Sequence, residues 1–499
     1  MTTISRVFGL LRDAVIATYF GAGAGTDAFF VAFKIPNYLR RIFGEGAFSQ
    51  AFVPVLNEVR TQKGEEEAHR LVNHVTGSMG VILFVVTVVG IVAAPVLIML
   101  FAPGFIGRPG KFDLSVDLLR ITFPYIFFIS LTALAGGVLN TYGRFGVPAF
   151  TPVLLNVAMI LAVIFLSPLF AEPITALAWG VLIAGVVQLL FQLPFLARIR
   201  MLPRPQPDWH YPEVRKIITL MVPALFAVSI SQINLIVDLL LASFLQEGSI
   251  TWLYNSDRIM EFPLGVFGVA LATVILPELS RRHAEGATHE FSRVLDWALR
   301  WAVLITLPAT LGLMLLSGPV LTTIFQYGAY TPRHMSMTSL SLITYSLGLS
   351  GHVLIKIFAS GHFSRLDTKT PVKAGVAAIV SNIILCLVFV MPFKHAGLAL
   401  ATSLAAYVNS GLLFYFLLKR QAYHVQHGWF AYLCRVACAC LLMSAVLFFY
   451  VPDIQVWLGW GIFDRILHLT MWVTLSVVIY FTTLWVCGLR PRHMTVAGQ

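Results

Sequence analysis

Apolar residues follow one another almost without interruption through 75–101, 153–170, 217–245, 303–316, 376–391 and 436–451, and polar positions gather in the short stretches between these runs. Runs of this kind are those of bilayer-spanning helices. At roughly 20 residues per span with short connections, the 499 residues accommodate about 14 helices and leave no stretch for a soluble domain.

Taken in order, the first helix ends near Phe20 and is interrupted by Arg6, Arg12 and Asp13. GAGAG at 21–25 reads as a tight turn, because no strand precedes it as a dinucleotide-binding loop requires. The second helix runs from about Thr26 to Leu56, with Pro36 as a kink. Four further helices end at Arg198, where the longest polar linker begins, 198–216, rich in proline and basic residues.

The second half repeats the first. Pro54, Leu56, Glu67 and Arg70 find Pro277, Leu279, Glu290 and Arg293 at one constant offset, and Pro95-Val96-Leu97 returns as Pro319-Val320-Leu321. Arg144 followed by Thr151-Pro152-Val153 matches Arg365 followed by Thr370-Pro371-Val372. An even number of helices per half makes the repeats parallel, related by a pseudo-twofold axis along the membrane normal with a cleft between them. The expected organisation is all-α and polytopic: a six-helix lobe over 1–200, a cytoplasmic linker over 201–216, a second six-helix lobe over 217–420, and two more helices with a tail over 421–499.

Composition supports the same class. Hydrophobic residues make up 58% and charged residues 11% of the chain, far from the soluble norm of about 25% charged. The net charge of +11 does not point to nucleic acid, because the cations fall at the ends of apolar segments and form no basic face. Arg60, Lys63, Arg144, Arg198, Arg204 and Arg293 are among many on one side, against little more than Arg108, Lys111, Arg333, Lys394 and Arg465 on the other. The positive-inside bias therefore puts both termini and the linker in the cytoplasm. Cys386, Cys434, Cys438, Cys440 and Cys487 lie inside apolar runs without metal-ligand spacing, and the N-terminus lacks the pattern of a cleaved signal peptide.

Ionised side chains at bilayer depth cost about 2.5 to 3.5 kcal/mol on the insertion scale, so each is expected to face a wet cavity or a partner. Arg6 and Arg12 in the first helix, Asp27, Lys34, Arg40, Arg41 and Glu45 in the second, and Asp257, Arg258 and Glu261 in the eighth form such a set. Cations from both halves suit an anion, and guanidinium pairs bidentately with phosphate. Plainer readings stand beside this one. Arg6 sits where it can snorkel to the surface, Arg41 and Glu45 are spaced as a helical pair, and Arg258 has Asp257 and Glu261 close enough to neutralise it. On a straight helix Asp27, Lys34, Arg41 and Glu45 share a face and Arg40 does not, a wheel that Pro36 and the neighbouring glycines undermine.

The run TDAFFVAFKIPNYLRRIFGEGAFSQAFVP, with SRVFGLLRD before it, DRIMEFPLGVFGVAL in the eighth helix and TPVK before the eleventh, resembles the MurJ (MviN) lipid II flippase family of the multidrug/oligosaccharidyl-lipid/polysaccharide exporter superfamily. The resemblance covers nearly the whole chain and implies two six-helix lobes plus two C-terminal helices that form a hydrophobic groove. It implies a transporter, not an enzyme, that carries lipid II, the undecaprenyl-diphosphate-linked peptidoglycan precursor, to the outer face of the inner membrane, beside membrane lipids and the cell-wall synthesis machinery. By motif the substrate-binding residues fall on Arg6, Arg12, Asp27, Arg40 and Arg258, which favours Arg40 over Arg41, with Lys34, Glu45, Asp257 and Glu261 as secondary cavity residues. No cofactor is implied. Coupling to sodium, which some members bind, would fall here on Asp238, Asn382 and Thr402; coupling to the membrane potential alone is the other expectation. The rivals are an exporter of another undecaprenyl-linked oligosaccharide and a polytopic glycosyltransferase; the latter would need a catalytic acid in the outer loops, where only Glu172 and Glu247 stand.

Overall fold

The computed structural model describes residues 2–41 and 48–490; Glu45 lies outside the described residues. All regular structure among them is helical, in two compact units, 1–251 and 252–499. Among the described residues ten helical segments are long and apolar enough to cross a bilayer by length and composition, and the chain is a multi-pass membrane protein.

The first unit holds α1 (Thr2–Phe20), α2 (Ala24–Arg40), α3 (Ser49–Lys63), α4 (Glu65–Val92), α5 (Ala94–Phe101), α6 (Pro109–Thr122), α7 (Tyr125–Thr141), α8 (Gly146–Leu166), α9 (Thr175–Arg198) and α10 (Pro212–Ser243). Its core is Phe52, Leu56, Leu71, Val72, Val138 and Leu139, where α3, α4 and α7 meet. Next, α11 (Ser249–Pro263) crosses the boundary between units. The second unit continues with α12 (Val269–Ala284), α13 (Thr288–Leu315), α14 (Ser317–Ile324), α15 (Pro332–Leu347), α16 (Leu349–Phe363), α17 (Lys369–Lys419), α18 (Trp429–Tyr450), α19 (Ile454–Gly459) and α20 (Ile462–Val486). The 51-residue α17 is two helices joined at Lys394, whose φ of 51° and ψ of −129° break the ladder. Large apolar side chains stay outside on many helices, Phe84, Val88 and Val92 on α4 and Val477, Phe481 and Trp485 on α20 among them. Lipid, not water, is the solvent these faces are built for.

Proline shapes both units, and at two of the kinks another helix supplies the missing donor. Pro36 inside α2 has no N–H for the carbonyl of Ala32, and Thr122 Oγ1 at the end of α6 donates to that oxygen at 3.1 Å. Pro308 inside α13 likewise frees Leu304, whose carbonyl accepts from Tyr480 Oη on α20 at 2.8 Å. In a bilayer no water is at hand to do this, so a second helix must.

The proline-rich linker is held along α4. Arg204 N donates to Asn73 Oδ1 at 2.7 Å, Gln206 N to Asn73 O at 3.1 Å, and Asp208 N to Ser78 Oγ at 3.2 Å, while ring nitrogens of His69 and His74 lie 3.1 and 3.0 Å from the carbonyls of Leu202 and Gln206. Gly77 makes this approach feasible: a Cβ there would come within 2.4 Å of the Gln206 carbonyl carbon. At the corresponding end of the second unit, Asp367 accepts from Arg420, from the backbone N–H of Thr370 at 3.1 Å and from His362 at 3.2 Å. Burial pushes the Asp367 carboxyl up, but these hydrogen bonds and the Arg420 charge outweigh it and hold its pKa at about 2.

α18 and α20 form a satellite core with α13 around Val436, Ala439, Trp457 and Tyr480. Asp296 on α13 fixes the entry to α18, accepting from Tyr423 Oη at 2.8 Å, Trp429 Nε1 at 2.6 Å and Arg300 Nε at 2.7 Å.

Candidate functional site

The charged residues of α1 and α2 lie in the first unit. Arg12 is 5% exposed, and its Nε and Nη2 donate to Oδ1 of the equally buried Asp13 at 2.9 and 2.6 Å, while Nη1 lies 3.9 Å from the sulfur of Met159. A guanidinium taken out of water must be compensated, and the adjacent carboxylate does so. Arg6 is half-buried on α1, which packs against α8, where Asn156 Nδ2 donates to Ser5 O at 3.2 Å. Lys34 and Arg40 are half-buried on α2, and Arg40 Nε reaches Asn37 Oδ1 at 3.3 Å; Arg41 is exposed.

Asp27 sits in a different environment from the arginines. It is 1% exposed, and its Oδ2 accepts from Lys111 Nζ at 2.9 Å and from Gly248 N at 2.8 Å. Oδ1 accepts from Thr251 N at 3.0 Å and Thr251 Oγ1 at 2.8 Å. The N–H groups at the start of a helix have no partner inside it, so Asp27 on α2 caps α11 from another element. Its negative charge also meets the positive end of the helix dipole. Lys111 lies over the Phe105 ring at 4.3 Å, and its own carbonyl accepts from Ser115 Oγ. Beside this node Gly104 N donates to Ser243 Oγ at 3.0 Å and Arg108 Nη2 to Leu245 O at 3.1 Å, so the whole turn from α10 to α11 is clasped by the segment that leads into α6. Gly104 is required for the contact, since a Cβ would stand 2.4 Å from Ser243 backbone.

Sequence reasoning singled out Asp27 but not its partner. Lys111 reads as one of the few cations of an outward loop, and only the fold brings it 84 residues back onto α2.

In the second unit Arg258 is half-buried on α11, its Nη1 3.4 Å from Glu261 Oε2, with Asp257 half-buried beside it. Asn382 is fully buried on α17; its Oδ1 accepts from the Cys386 thiol at 3.8 Å and its Nδ2 has no partner among the described residues. Thr402 Oγ1 donates to Leu398 O at 3.1 Å, and Asp238 is half-buried on α10 of the first unit. Among the described residues no group of three or more His, Cys, Asp or Glu is placed to hold a metal ion.

Chemically, these features amount to one buried and three half-buried guanidinium groups in an apolar protein and one carboxylate already saturated by a lysine, a hydroxyl and two backbone N–H groups. Guanidinium is the side chain whose fork matches oxyanions; a saturated carboxylate positions its neighbours.

The family model described as Lipid II flippase MurJ matches residues 16–468. A probable lipid II flippase MurJ of Vibrio cholerae is 47% identical over 506 aligned residues, covering 100% of this chain and 96% of that protein. One from Haemophilus influenzae is 43% identical with 99% of each covered, and the lipid II flippase MurJ of Burkholderia cenocepacia is 42% identical over 99% of this chain and 96% of its own length. Among solved structures, lipid II flippase MurJ in an inward closed conformation superposes with a TM-score of 0.80 at 29% identity, covering 97% of this chain and 96% of that one. An inward-facing MATE multidrug transporter of the MOP superfamily reaches a TM-score of 0.70 at 16% identity, covering 83% and 94%, a likeness of fold alone.

Proposed function

Since the chain belongs to the Lipid II flippase MurJ family, we propose that it carries lipid II from the cytoplasmic to the outer face of the bacterial inner membrane by alternating access. The observation that carries this reading is the family match across 16–468, together with full-length relatives of that name. No bond of the passenger is made or broken.

The passenger presents a diphosphate, a sugar and a polyprenyl chain. Arg12, with Arg6, Arg40 and Arg258, binds the diphosphate, lowering the cost of holding its charge at a depth where a bare ion is prohibitive. Asp13 keeps Arg12 oriented; Lys34, Asp257 and Glu261 tune the charge around these groups, as does Glu45, which lies outside the described residues. Asp27 acts at one remove by fixing the start of α11, the helix that carries Arg258. The polyprenyl tail stays in lipid along α18 and α20, whose outer faces expose Leu441, Phe448, Val477 and Phe481.

The excess of Lys and Arg on one set of connections supports cytoplasmic termini. With that orientation, outward movement of negative charge is favoured by an inside-negative potential at about 2.3 kcal/mol per charge per 100 mV, so the potential alone suffices as the energy source. A sodium ion held by Asp238, Asn382 and Thr402 would add to it, and cell-wall synthases that consume the outward lipid are the expected neighbours.

The test is replacement of the gene in depleted cells, read by exposure of lipid II on the outer face. Arg258→Ala, and Arg12→Ala made together with Asp13→Asn so that no carboxylate is left buried and unpaired, should each lower translocation roughly tenfold or more, the loss of a charge-assisted hydrogen bond, at unchanged protein level. Wild-type exposure in both variants would overturn the anion-binding assignment. Formation of a polymer from radiolabelled lipid II by the purified protein would overturn the transporter reading.

A further inference from the structure

At one end of α8 and α9 the first unit opens a recess of ≈ 450 Å³ whose lining includes Arg144, Arg198, Phe145, Phe150, Phe191 and Phe195. α8 begins at Gly146 and α9 ends at Arg198, so the recess lies at headgroup depth, where two spans meet water. Its floor is an aromatic ladder, Phe150 to Phe191 at 5.7 Å and Phe191 to Phe195 at 5.4 Å between centroids, and the Arg198 guanidinium stands 5.4 Å from the Phe195 ring.

The charge here is unbalanced, in contrast to the paired cations around α3 and α4. In the same unit Arg60 pairs with Glu65, Lys63 with Glu213, Arg70 with Glu66 and Lys216 with Glu58. Among the described residues neither Arg144 nor Arg198 has a carboxylate partner. The repeat sharpens the contrast. Two positions after Arg365, the counterpart of Arg144, the second half places Asp367, which engages Arg420 at the end of α17. Two positions after Arg144 the first half has Gly146. One half supplies its own anion at this corner, and the other leaves two guanidinium groups above an apolar floor.

We propose that this recess binds the headgroup of an anionic glycerophospholipid, its phosphodiester held by Arg144 and Arg198 and its acyl chains laid along Phe150, Phe191 and Phe195. Guanidinium forks match phosphate oxygens, and basic pockets between spans at the interface are suited to such lipids. The aromatic floor selects a lipid over a free phosphate, which would use only the rim.

The full-length protein in neutral detergent is titrated with dioleoyl phosphatidylglycerol, dioleoyl phosphatidylcholine and inorganic phosphate, and bound species are counted by native mass spectrometry. Phosphatidylglycerol should bind saturably, and Arg144→Ala/Arg198→Ala should weaken its tightest site roughly tenfold or more, with phosphatidylcholine unaffected. Gly146→Asp is the second variant: it leaves both arginines in place and imports the carboxylate of the other half at a position where a Cβ meets nothing within 4 Å. It should weaken phosphatidylglycerol binding comparably while melting at the wild-type temperature in phosphatidylcholine, and it decides the matter alone if the double variant does not fold. Unchanged phosphatidylglycerol affinity in Gly146→Asp overturns the site. Inorganic phosphate binding as tightly as the lipid overturns the assignment to a lipid.

Discussion

Asp27 and Lys111 form a pair in which neither residue can be changed alone without consequence. Removing one partner of a buried ion pair leaves the other charge uncompensated, at a cost of about 3 to 5 kcal/mol, whereas removing both is far milder. Asp27→Asn and Lys111→Met are therefore each expected to lower the melting temperature of the purified protein strongly, and the double variant to recover most of the loss. Additive effects in that cycle would mean that the 2.9 Å contact carries no coupling. The residue scale is also where sequence reading has its sharpest boundary. Asp27, Arg12 and Arg258 are conspicuous because charge is rare in apolar runs, so rarity alone picks them out. Lys111 sits in a polar connection where charge is ordinary, and its role arises from a contact across 84 positions that no local pattern encodes.

At the level of elements, prolines are legible and their remedies are not. A proline in a spanning segment announces a kink and an orphaned carbonyl. Which side chain answers it depends on the neighbour that packs there, Thr122 of α6 in one case and Tyr480 of α20 in the other. Thr122→Val and Tyr480→Phe each remove one hydroxyl from a buried acceptor, at about 1 to 3 kcal/mol. Thermal unfolding in detergent should show both losses, and Pro36→Ala should offset Thr122→Val because the restored N–H serves Ala32 again. A Thr122→Val protein that melts like the wild type would show that the carbonyl finds another donor. The linker gives a second case: its proline content reads as a plain junction, yet Asn73, His74 and Ser78 hold 204–208 against α4. Extended, proline-rich backbone keeps its remaining N–H and C=O groups free to be claimed by a neighbouring helix.

Across the whole molecule, the apolar runs, the repeat and the uneven placement of Lys and Arg were all open to reading, because each is a property of many residues at once. The boundary between compact units falls inside α11, where no linker composition marks it. Orientation is testable directly. In a protein freed of its native cysteines, Gly107→Cys should react with a membrane-impermeant maleimide in intact spheroplasts, and Pro205→Cys only after permeabilisation; the reverse pattern would invert the topology. Both positions are exposed.

The pairing of Pro308 with Tyr480 extends to descent. A lineage that lost the imino acid from α13 would restore the local ladder and release the phenol from duty, whereas one that lost the phenol first would pass through a defective ancestor. The two positions are thus expected to be inherited as a unit, with the order of change running from ring to hydroxyl.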